Sequence, residues 1–507
     1  MKKILFPLLI IFLLPLACNI YTQEQTPVYV TTSPHNMVPS FDLSLHKQAM
    51  QPCFADDVDK NIKKGITIYN IKINIIPSSL ATEPKFIGSM HVHYTNTESV
   101  MLNQLFFRLF PNTSAFGGTM NISSTYINNQ LINPELVSGN STLIIPLSTP
   151  LAPNDHVQIY MTYEATIPTT MQNGYGRYTY YNDVLSLPNF YPIIPVFDDK
   201  GWHVETSIPY GDVTYTDIAL YDVTITAPKN MIIVTSGDII AKSTRHEVQT
   251  VRAVTGPMRD FYITMSEKFQ SVSQEIDGIK INSYYPAEQT EQGKFALTVA
   301  VESFRTFNQL FIPYPYHEFD VVAVPTKAGG MEYPGIIVVA KRYYYQTEKD
   351  FFEFVTVHET IHQWWYGLVG NDQINYPWLD EALTQYTCIQ YYENRYGDGQ
   401  RKRQIDRWFN NSYQILLNTN SDRPVAGMVS DFSGADEYGA VVYGKGPLFF
   451  EAVRTQLGDE AYFDSMRTYA ECYRYSIADP QDLLDIFTEV GGQNVEDLYQ
   501  EWILGSQ

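Results

Sequence analysis

The stretch VHETIHQWWYGLVG, residues 357–370, places two histidines four positions apart, with a glutamate directly after the first. Residues four positions apart on a helix lie one turn apart on the same face, so His358 and His362 can direct imidazole nitrogens at one ion. Zinc, with nitrogen ligands at about 2.0–2.1 Å, suits this arrangement. The alternative is a buried amphipathic helix with two polar residues, and the pattern arises by chance in roughly one such chain in a hundred. The stretch therefore predicts a metal-binding helix.

A catalytic zinc site usually has three protein ligands, so the two histidines need a third from another element. Glu381 lies in PWLDEALTQY, residues 377–386, which follows a break with two glycines and is predicted to be a second helix folded back on the first. Asp380 is an adjacent competitor, but one helical position turns a side chain by about 100°, and we prefer Glu381. By the same rotation Glu359 points away from His358, so it can act as a base on a metal-bound water without being a ligand.

The rest of the chain indicates two structural regions. From Gly65 onward, short runs that alternate apolar and polar residues, such as ITIYNIKINIIP, predict an all-β, sandwich-like domain over residues 64–286. Residues 287–507 instead contain several runs with helical spacing and one strand-like run, HEFDVVAVP. The predicted fold is therefore α+β and multidomain, with a β-rich N-terminal domain followed by a mostly helical domain that contains a small sheet.

The first 18 residues run from two lysines through an apolar stretch to Leu-Ala-Cys, a layout typical of a signal peptide. This end resembles a bacterial lipoprotein signal, which implies a lipid anchor at Cys18. We expect an exported protein, either a cell-surface lipoprotein or a secreted or periplasmic one, with a retained N-terminal membrane anchor as the alternative. Residues 19–63 are polar, contain proline and predict a tether that ends in an extended arm.

The chain is strongly acidic. It carries 34 basic and 55 acidic side chains, and its formal net charge is −21. This balance argues against nucleic acid or an anionic membrane surface as an electrostatic partner.

Four motifs, in family order, resemble those of the aminopeptidase N family of zinc metallopeptidases, which are gluzincins and also include leukotriene hydrolase. The first two are HETIHQWWYG and the glutamate nineteen residues after His362, which is Glu381. KAGGMEYPG, residues 327–335, is similar to the family's Gly-x-Met-Glu segment, and VVYGKGPLFF, residues 441–450, to its Tyr-x-Lys-Gly segment. The resemblance spans residues 65–507 and implies a thermolysin-like fold for the second domain.

The resemblance implies one zinc ion per chain, bound by His358, His362 and Glu381, with water completing the coordination. It also implies that Glu359 takes the proton from this water as the water attacks the scissile carbonyl, and then delivers it to the departing amine. Tyr443 would donate a hydrogen bond to the negative oxygen that develops in the intermediate.

The substrate implied by the resemblance is a peptide with a free N-terminus. Glu332 would capture the ammonium group, and Gly329, Gly330 and Met331 would bring the backbone of their strand alongside the peptide. The predicted function is therefore a zinc-dependent aminopeptidase that hydrolyses N-terminal residues from peptides. The alternatives are a zinc endopeptidase or another hydrolase on the same site, or a non-catalytic binding protein with this fold.

Three features depart from the family's pattern. Many members add a glutamine or glutamate from the β-rich domain as a second contact to the amine, and the corresponding stretch here, SLPNFYP, offers none. Tyr333 stands where many members have asparagine, which implies a reshaped pocket for the first residue of the substrate. The large helical C-terminal domain of the long members has no counterpart before Gln507, so we expect a short form with a more open cleft. The sequence does not indicate the oligomeric state.

Overall fold

Two short helices precede the β-rich region in the computed structural model, which describes residues 41–76, 83–205, 208–212, 214–347 and 349–505. They are α1 (Leu43–Gln48) and α2 (Asp56–Lys63). Where the sequence predicts an extended arm, this part of the chain is thus largely helical. The physical reason is capping, because Asp42 accepts a hydrogen bond from the backbone of Ser44 at 3.0 Å and three aspartates occupy the first turn of α2. The expected signal segment, Cys18 and the tether up to residue 40 lie outside the described residues.

The β-rich region is built from strands that form one large and several small sheets. Their bounds are β1 (Thr67–Ile76), β2 (Lys85–Thr95), β3 (Leu102–Arg108), β4 (Thr119–Ile127), β5 (Gln130–Ile132), β6 (Glu135–Val137), β7 (Thr142–Leu151), β8 (His156–Thr166), β9 (Thr179–Tyr181), β10 (Val184–Leu187), β11 (Phe197–Asp198), β12 (Gly201–Trp202), β13 (Ala219–Pro228), β14 (Ile232–Thr235), β15 (Asp238–Arg245), β16 (Val248–Val254) and β17 (Ile263–Ser266). The large sheet has eight strands in the order β15-β16-β13-β1-β2-β8-β4-β5. The smaller sheets are β14-β17-β10-β9, β3-β7-β6 and β11-β12.

Alternation of apolar and polar residues explains how these strands pack. In β2 every second residue is buried, and Phe86, Met90 and Val92 have no exposed surface. Side chains of a strand point alternately to opposite faces, so one face of β2 joins the core while the other is partly solvated. This confirms the β-rich N-terminal part of the predicted fold.

A second, five-stranded sheet lies in the part of the chain that carries the metal-binding motif. Its strands are β18 (Phe269–Ile276), β19 (Ile279–Pro286), β20 (Glu318–Val324), β21 (Gly330–Met331) and β22 (Ile336–Ala340), in the order β18-β19-β20-β22-β21. The two-residue strand β21 pairs antiparallel with β22 and forms one edge of the sheet. Two of the strands, β18 and β19, precede residue 287 but pair with β20, and the domain boundary at 287 stays a prediction.

The rest of the C-terminal half is mostly helical, as the sequence predicts. Its helices are α3 (Thr290–Leu310), α4 (Asp350–Ile361), α5 (Trp378–Tyr396), α6 (Asp398–Ile405), α7 (Asn411–Asn418), α8 (Ala435–Tyr438), α9 (Pro447–Leu457), α10 (Asp459–Tyr473), α11 (Pro480–Glu489) and α12 (Glu496–Leu498). Three π-helical segments interrupt or extend them, at Asp406–Asn410, Gly439–Lys445 and Tyr499–Leu504. A parallel pair joins β23 (Val369–Gly370) to β24 (Ser476–Ile477). Within the described ranges, none of the helices has the length and apolar character that crossing a membrane requires.

Helix α4 occupies the centre of this half of the molecule. It packs against β21 and β22 on one side and against α3 and α5 on others. Nine of its residues are buried, among them His358 and Glu359. The two predicted site residues are therefore held between a sheet edge and a second helix.

Candidate metal centre

His358 and His362 lie at the C-terminal end of α4, and both are buried. The sequence predicts a helix that continues to Val369, but α4 ends at Ile361 and His362 is the residue that follows it. His362 keeps helical backbone angles, with φ −58° and ψ −14°, so it stays one turn from His358. The two Nε2 atoms lie 3.1 Å apart and face the same point.

Glu381, in the first turn of α5, completes a group that can hold a metal ion. Its Oε2 atom lies 3.2 Å from Nε2 of His358 and 3.4 Å from Nε2 of His362. A tetrahedral ion with bonds of about 2.0–2.1 Å separates its ligand atoms by about 3.4 Å. The three side chains therefore fit one tetrahedral ion such as zinc.

Hydrogen bonds orient His362 for this role. Its Nδ1 atom lies 3.0 Å from the carbonyl oxygen of Trp365 and 3.2 Å from the hydroxyl of Thr384. Because a carbonyl oxygen only accepts hydrogen bonds, Nδ1 carries a hydrogen, and Nε2 is the nitrogen that can bind a metal. The competitor Asp380 instead accepts a hydrogen bond from Gln373 at 2.9 Å and is outside the group.

The negative charge of Glu381 favours a cation at this group. Burial lowers the pKa of His358 below its ordinary value, which keeps the imidazole neutral. Burial alone would raise the pKa of Glu381, but the hydrogen bonds from His358 and His362 hold that pKa well below its ordinary value. Burial alone would lower the pKa of His362, but its hydrogen bond with Glu381 and the negative charge of Glu332 raise that pKa to about 10. Zinc binds a neutral imidazole and an ionised carboxylate, so its binding at His362 would release a proton.

Glu359 lies beside the metal-holding group without being part of it. It is only 5% exposed, and it lines a cavity of about 620 Å³ together with His358 and Glu381. Burial, followed by the negative charge of Glu332, raises the pKa of Glu359 well above its ordinary value. A carboxylate with a raised pKa holds a proton more strongly, which suits a general base.

Tyr443 reaches the same group from the π-helical segment Gly439–Lys445. Its hydroxyl donates a hydrogen bond to Oε1 of Glu381, and its ring centroid lies 5.8 Å from that of His358. π-Helical turns are rare and frequently occur at functional sites. The phenol is therefore placed at the metal-holding group and lines the cavity.

The predicted substrate-binding segment forms the edge of the five-stranded sheet. Gly330 and Met331 make up β21, and Glu332 follows with only 6% of its surface exposed. The strand runs so close to α4 that a Cβ atom on Gly330 would lie 2.5 Å from Cγ of Glu359. A larger residue there would force the side chain of Glu359 or the strand to move. Together with Gly329, these residues line the same cavity as the metal-holding group.

Two charged side chains from the β-rich region also line the cavity, and sequence reasoning missed both. They are Arg177, whose guanidinium donates to the carbonyl of Gly211 at 3.1 Å, and Asp212. Burial, followed by the charges of Glu332 and Glu381, raises the pKa of Asp212 well above its ordinary value. Neither residue belongs to a motif, and each lies more than one hundred positions before the metal-binding stretch, so no local signal could have found them.

Beyond Glu332 the cleft narrows to a cavity of about 20 Å³. Arg177, Asp212 and Tyr333 are among its lining residues. Tyr333 stacks on Tyr262 with ring centroids 4.0 Å apart, so its ring fills space behind the strand. A cavity of this size holds about one water molecule.

Comparison with known proteins defines the class of this site. Residues 295–502 match the family model described as the peptidase family M1 domain. The resemblance to the aminopeptidase N family is thus confirmed for this part of the chain. Aminopeptidase M1-B of Oryza sativa subsp. japonica is 26% identical over 306 residues, which cover 56% of this chain and 34% of the relative. Aminopeptidase M1 of Arabidopsis thaliana is 24% identical over 299 residues, with the same coverage of 56% and 34%.

The chain spans about a third of the length of these curated relatives. Among solved structures, the M1 zinc metallopeptidase from Deinococcus radiodurans superposes with a TM-score of 0.63 at 17% sequence identity. The superposition covers 87% of this chain and 94% of that chain. The two proteins share a fold in which a β-rich region precedes a helical one.

Proposed function

We propose that this protein is a zinc-dependent aminopeptidase that removes residues from the N-terminus of peptides. The observation that carries the proposal is the position of Glu332, whose carboxylate is buried beside the metal-holding group where the cleft narrows to about 20 Å³. An ammonium group can pair with this carboxylate, whereas a peptide that continued past it would find room for about one water molecule. The aminopeptidases among the relatives support the proposal.

One zinc ion per chain would be held by His358, His362 and Glu381, which fit it in spacing and in the type of their donor atoms. When bound, zinc activates water and polarises the scissile carbonyl as a Lewis acid. The protein's own task is to orient Nε2 of both imidazoles toward the ion and to keep the carboxylate ionised. The carbonyl of Trp365 assists at His362 by holding Nδ1.

Glu359 moves the proton in this proposal. A carboxylate oxygen of Glu359 accepts a proton from the attacking water and passes it to the nitrogen of the departing peptide. Burial strengthens the base by raising its pKa, and the adjacent Gly330 leaves space for the side chain at the edge strand. The hydroxyl of Tyr443 donates a hydrogen bond to the oxygen on which negative charge develops.

Glu332 and Asp212 position the substrate. The Glu332 carboxylate pairs with the ammonium group, and Asp212 supplies a further oxygen from the β-rich region, the kind of contact that the sequence did not identify. A variant of the Deinococcus radiodurans enzyme has been solved with a Tyr-Ser-Ala substrate. For this chain we likewise propose short peptides with a free N-terminus.

The test compares alanyl peptides with their N-acetylated forms. Purified protein is expected to contain about one zinc per chain, to hydrolyse Ala-Ala-Ala and to leave N-acetyl-Ala-Ala-Ala intact, because only the free amine can pair with Glu332. Replacing Glu332 with Gln should raise KM for the free peptide by about tenfold or more. Equal rates on both peptides would indicate an endopeptidase, and absence of both zinc and turnover would indicate a binding protein.

A further inference from the structure

Three aromatic side chains line the cleft on one side of Glu359. They are Phe351 and Phe354 on α4, and Trp408 in the π-helical segment Asp406–Asn410. The Trp408 ring centroid lies 4.8 Å from that of Phe354 and 5.6 Å from that of Phe351. We call these three residues the aromatic wall. Phe351 is 37% exposed and Trp408 is half-buried, so the wall presents apolar surface to the cleft.

The helix places the wall at a defined distance from the reacting groups. Phe351, Val355 and Glu359 follow one another at intervals of four residues and share one face of α4. The wall therefore begins at Phe354, about 7.5 Å before Glu359 along the helix axis, and extends toward the N-terminal end of the helix. The indole of Trp408 is fixed by a hydrogen bond that it donates to Gln404 at 2.7 Å.

The edge strand shows on which side of Glu359 each part of a peptide lies. A Cβ atom on Gly329 would lie 3.2 Å from Val355, whereas one on Gly330 would meet Glu359. The strand and α4 therefore run in the same direction here. Glu332 comes two residues after Gly330, so it lies beyond Glu359 on the side away from the aromatic wall.

This geometry determines where the ammonium group, the first peptide bond and the remaining residues of a bound substrate lie along the cleft. With its ammonium group on Glu332, a peptide has its first peptide bond at Glu359, and its remaining residues extend toward the aromatic wall. Along the helix axis Phe354 lies about 7.5 Å and Phe351 about 12 Å before Glu359, and one extended residue of about 3.4 Å together with a large side chain reaches the nearer of these distances. The side chain directly after the cleaved bond thus meets the wall.

On the basis of the proposed function, we propose that the aromatic wall binds the side chain that follows the cleaved bond and selects substrates with an aromatic or large aliphatic residue there. Such a side chain removes apolar surface of Phe351 and Trp408 from water, and an aromatic one can also stack on the indole. Glycine at this position offers no such contact. The specificity of the enzyme for the leaving part of its substrate is therefore set by residues outside the four family motifs.

The first test compares Ala-Phe-Ala with Ala-Gly-Ala. The wild-type protein is expected to show kcat/KM for Ala-Phe-Ala about tenfold or more above that for Ala-Gly-Ala. Trp408→Ala should bring this ratio close to one, and Phe351→Ala should reduce it. Trp202→Ala is the matched control, because Trp202 is also half-buried and packs on two phenylalanines, with centroids 5.6 Å and 5.1 Å away. The control should keep the wild-type ratio.

A binding measurement tests the wall without turnover. In the Glu359→Gln background, calorimetry should give a Kd for Ala-Phe-Ala about tenfold lower than for Ala-Gly-Ala, and adding Trp408→Ala should abolish the difference. Equal Kd values for the two peptides, or a ratio unchanged by both wall variants, would overturn this proposal while leaving the aminopeptidase proposal intact. Conversely, a Kd difference that depends on Trp408 without any hydrolysis by the wild-type protein would support the wall and contradict the aminopeptidase.

Discussion

Glu359 on α4 and Glu381 on α5 are both buried, but their pKa values are shifted in opposite directions. This difference separates their roles. Glu381 lies against the Nε2 atoms of His358 and His362, and their hydrogen bonds keep its pKa low. Glu359 faces the carboxylate of Glu332 instead, and burial together with this negative neighbour raises its pKa. The low pKa suits a metal ligand, and the raised pKa suits a residue that accepts and releases a proton. The surroundings of each carboxyl group, rather than its residue type, assign the function.

The first prediction tests whether Glu359 is a general base or a metal ligand. Glu359→Gln should keep about one zinc per chain, because the side chain lies outside the metal-holding group, and should lower kcat by about 10²–10⁴-fold or more through loss of the proton acceptor. Zinc content by plasma mass spectrometry and turnover of Ala-Ala-Ala check both statements. His358→Ala is the matched control and should lose stoichiometric zinc. Loss of zinc in Glu359→Gln as well would show that this glutamate is a ligand.

At the scale of elements, the site depends on two features. One is a close contact between the edge strand β21 and α4, and the other is the presence of π-helical segments. The edge strand β21 can approach α4 closely because Gly330 has no side chain, and Glu359 lies at this contact. The π-helical segment Gly439–Lys445 carries Tyr443, and the segment Asp406–Asn410 carries Trp408. In each case a local irregularity aims a side chain into the cleft.

The second prediction concerns the contact between β21 and α4. In Gly330→Ala the added Cβ atom would overlap the side chain of Glu359, so either the base or the strand must move. A displacement of about 1 Å at reacting groups lowers kcat/KM by about 10²-fold. Gly329→Ala is a milder control, since its Cβ atom would meet a single atom of Val355 at 3.2 Å. Activity of Gly330→Ala within threefold of the control would show that the contact does not position the base.

Periodicity predicted the regular elements well because it reports directly on burial. The alternation in β2 and the helical spacing in α3 and α5 agree with the structure. The end of α4 was misplaced, since apolar residues continue after Ile361 and only the turn at Tyr366, with φ 103°, reverses the chain. The sequence did not predict the position of Asp212 in the cleft or the π-helical segment that carries Trp408, because both depend on packing between residues that are distant in the sequence.

At the scale of the whole molecule, one buried guanidinium joins three distant segments around the site. Arg259 is 3% exposed and donates to the carbonyl oxygens of Thr216 at 2.8 Å, Tyr366 at 2.8 Å and Ser476 at 3.1 Å. Tyr366 lies in the turn directly after the second histidine, whereas Thr216 belongs to the β-rich region. Close packing around this cation is also visible at Gly370, where a Cβ atom would overlap the guanidinium.

The third prediction follows from these hydrogen bonds. Arg259→Leu should lower the free energy of unfolding by about 3 kcal/mol or more, because three buried carbonyl groups lose a charged donor and find no replacement. Arg259→Lys keeps the charge but cannot reach three acceptors in a planar arrangement, so its loss should be smaller than that of Leu. Urea unfolding followed by tryptophan fluorescence measures both variants. If Arg259→Leu unfolds at the same urea concentration as the wild-type protein, the guanidinium does not hold these segments together, and their packing must depend on the surrounding apolar core.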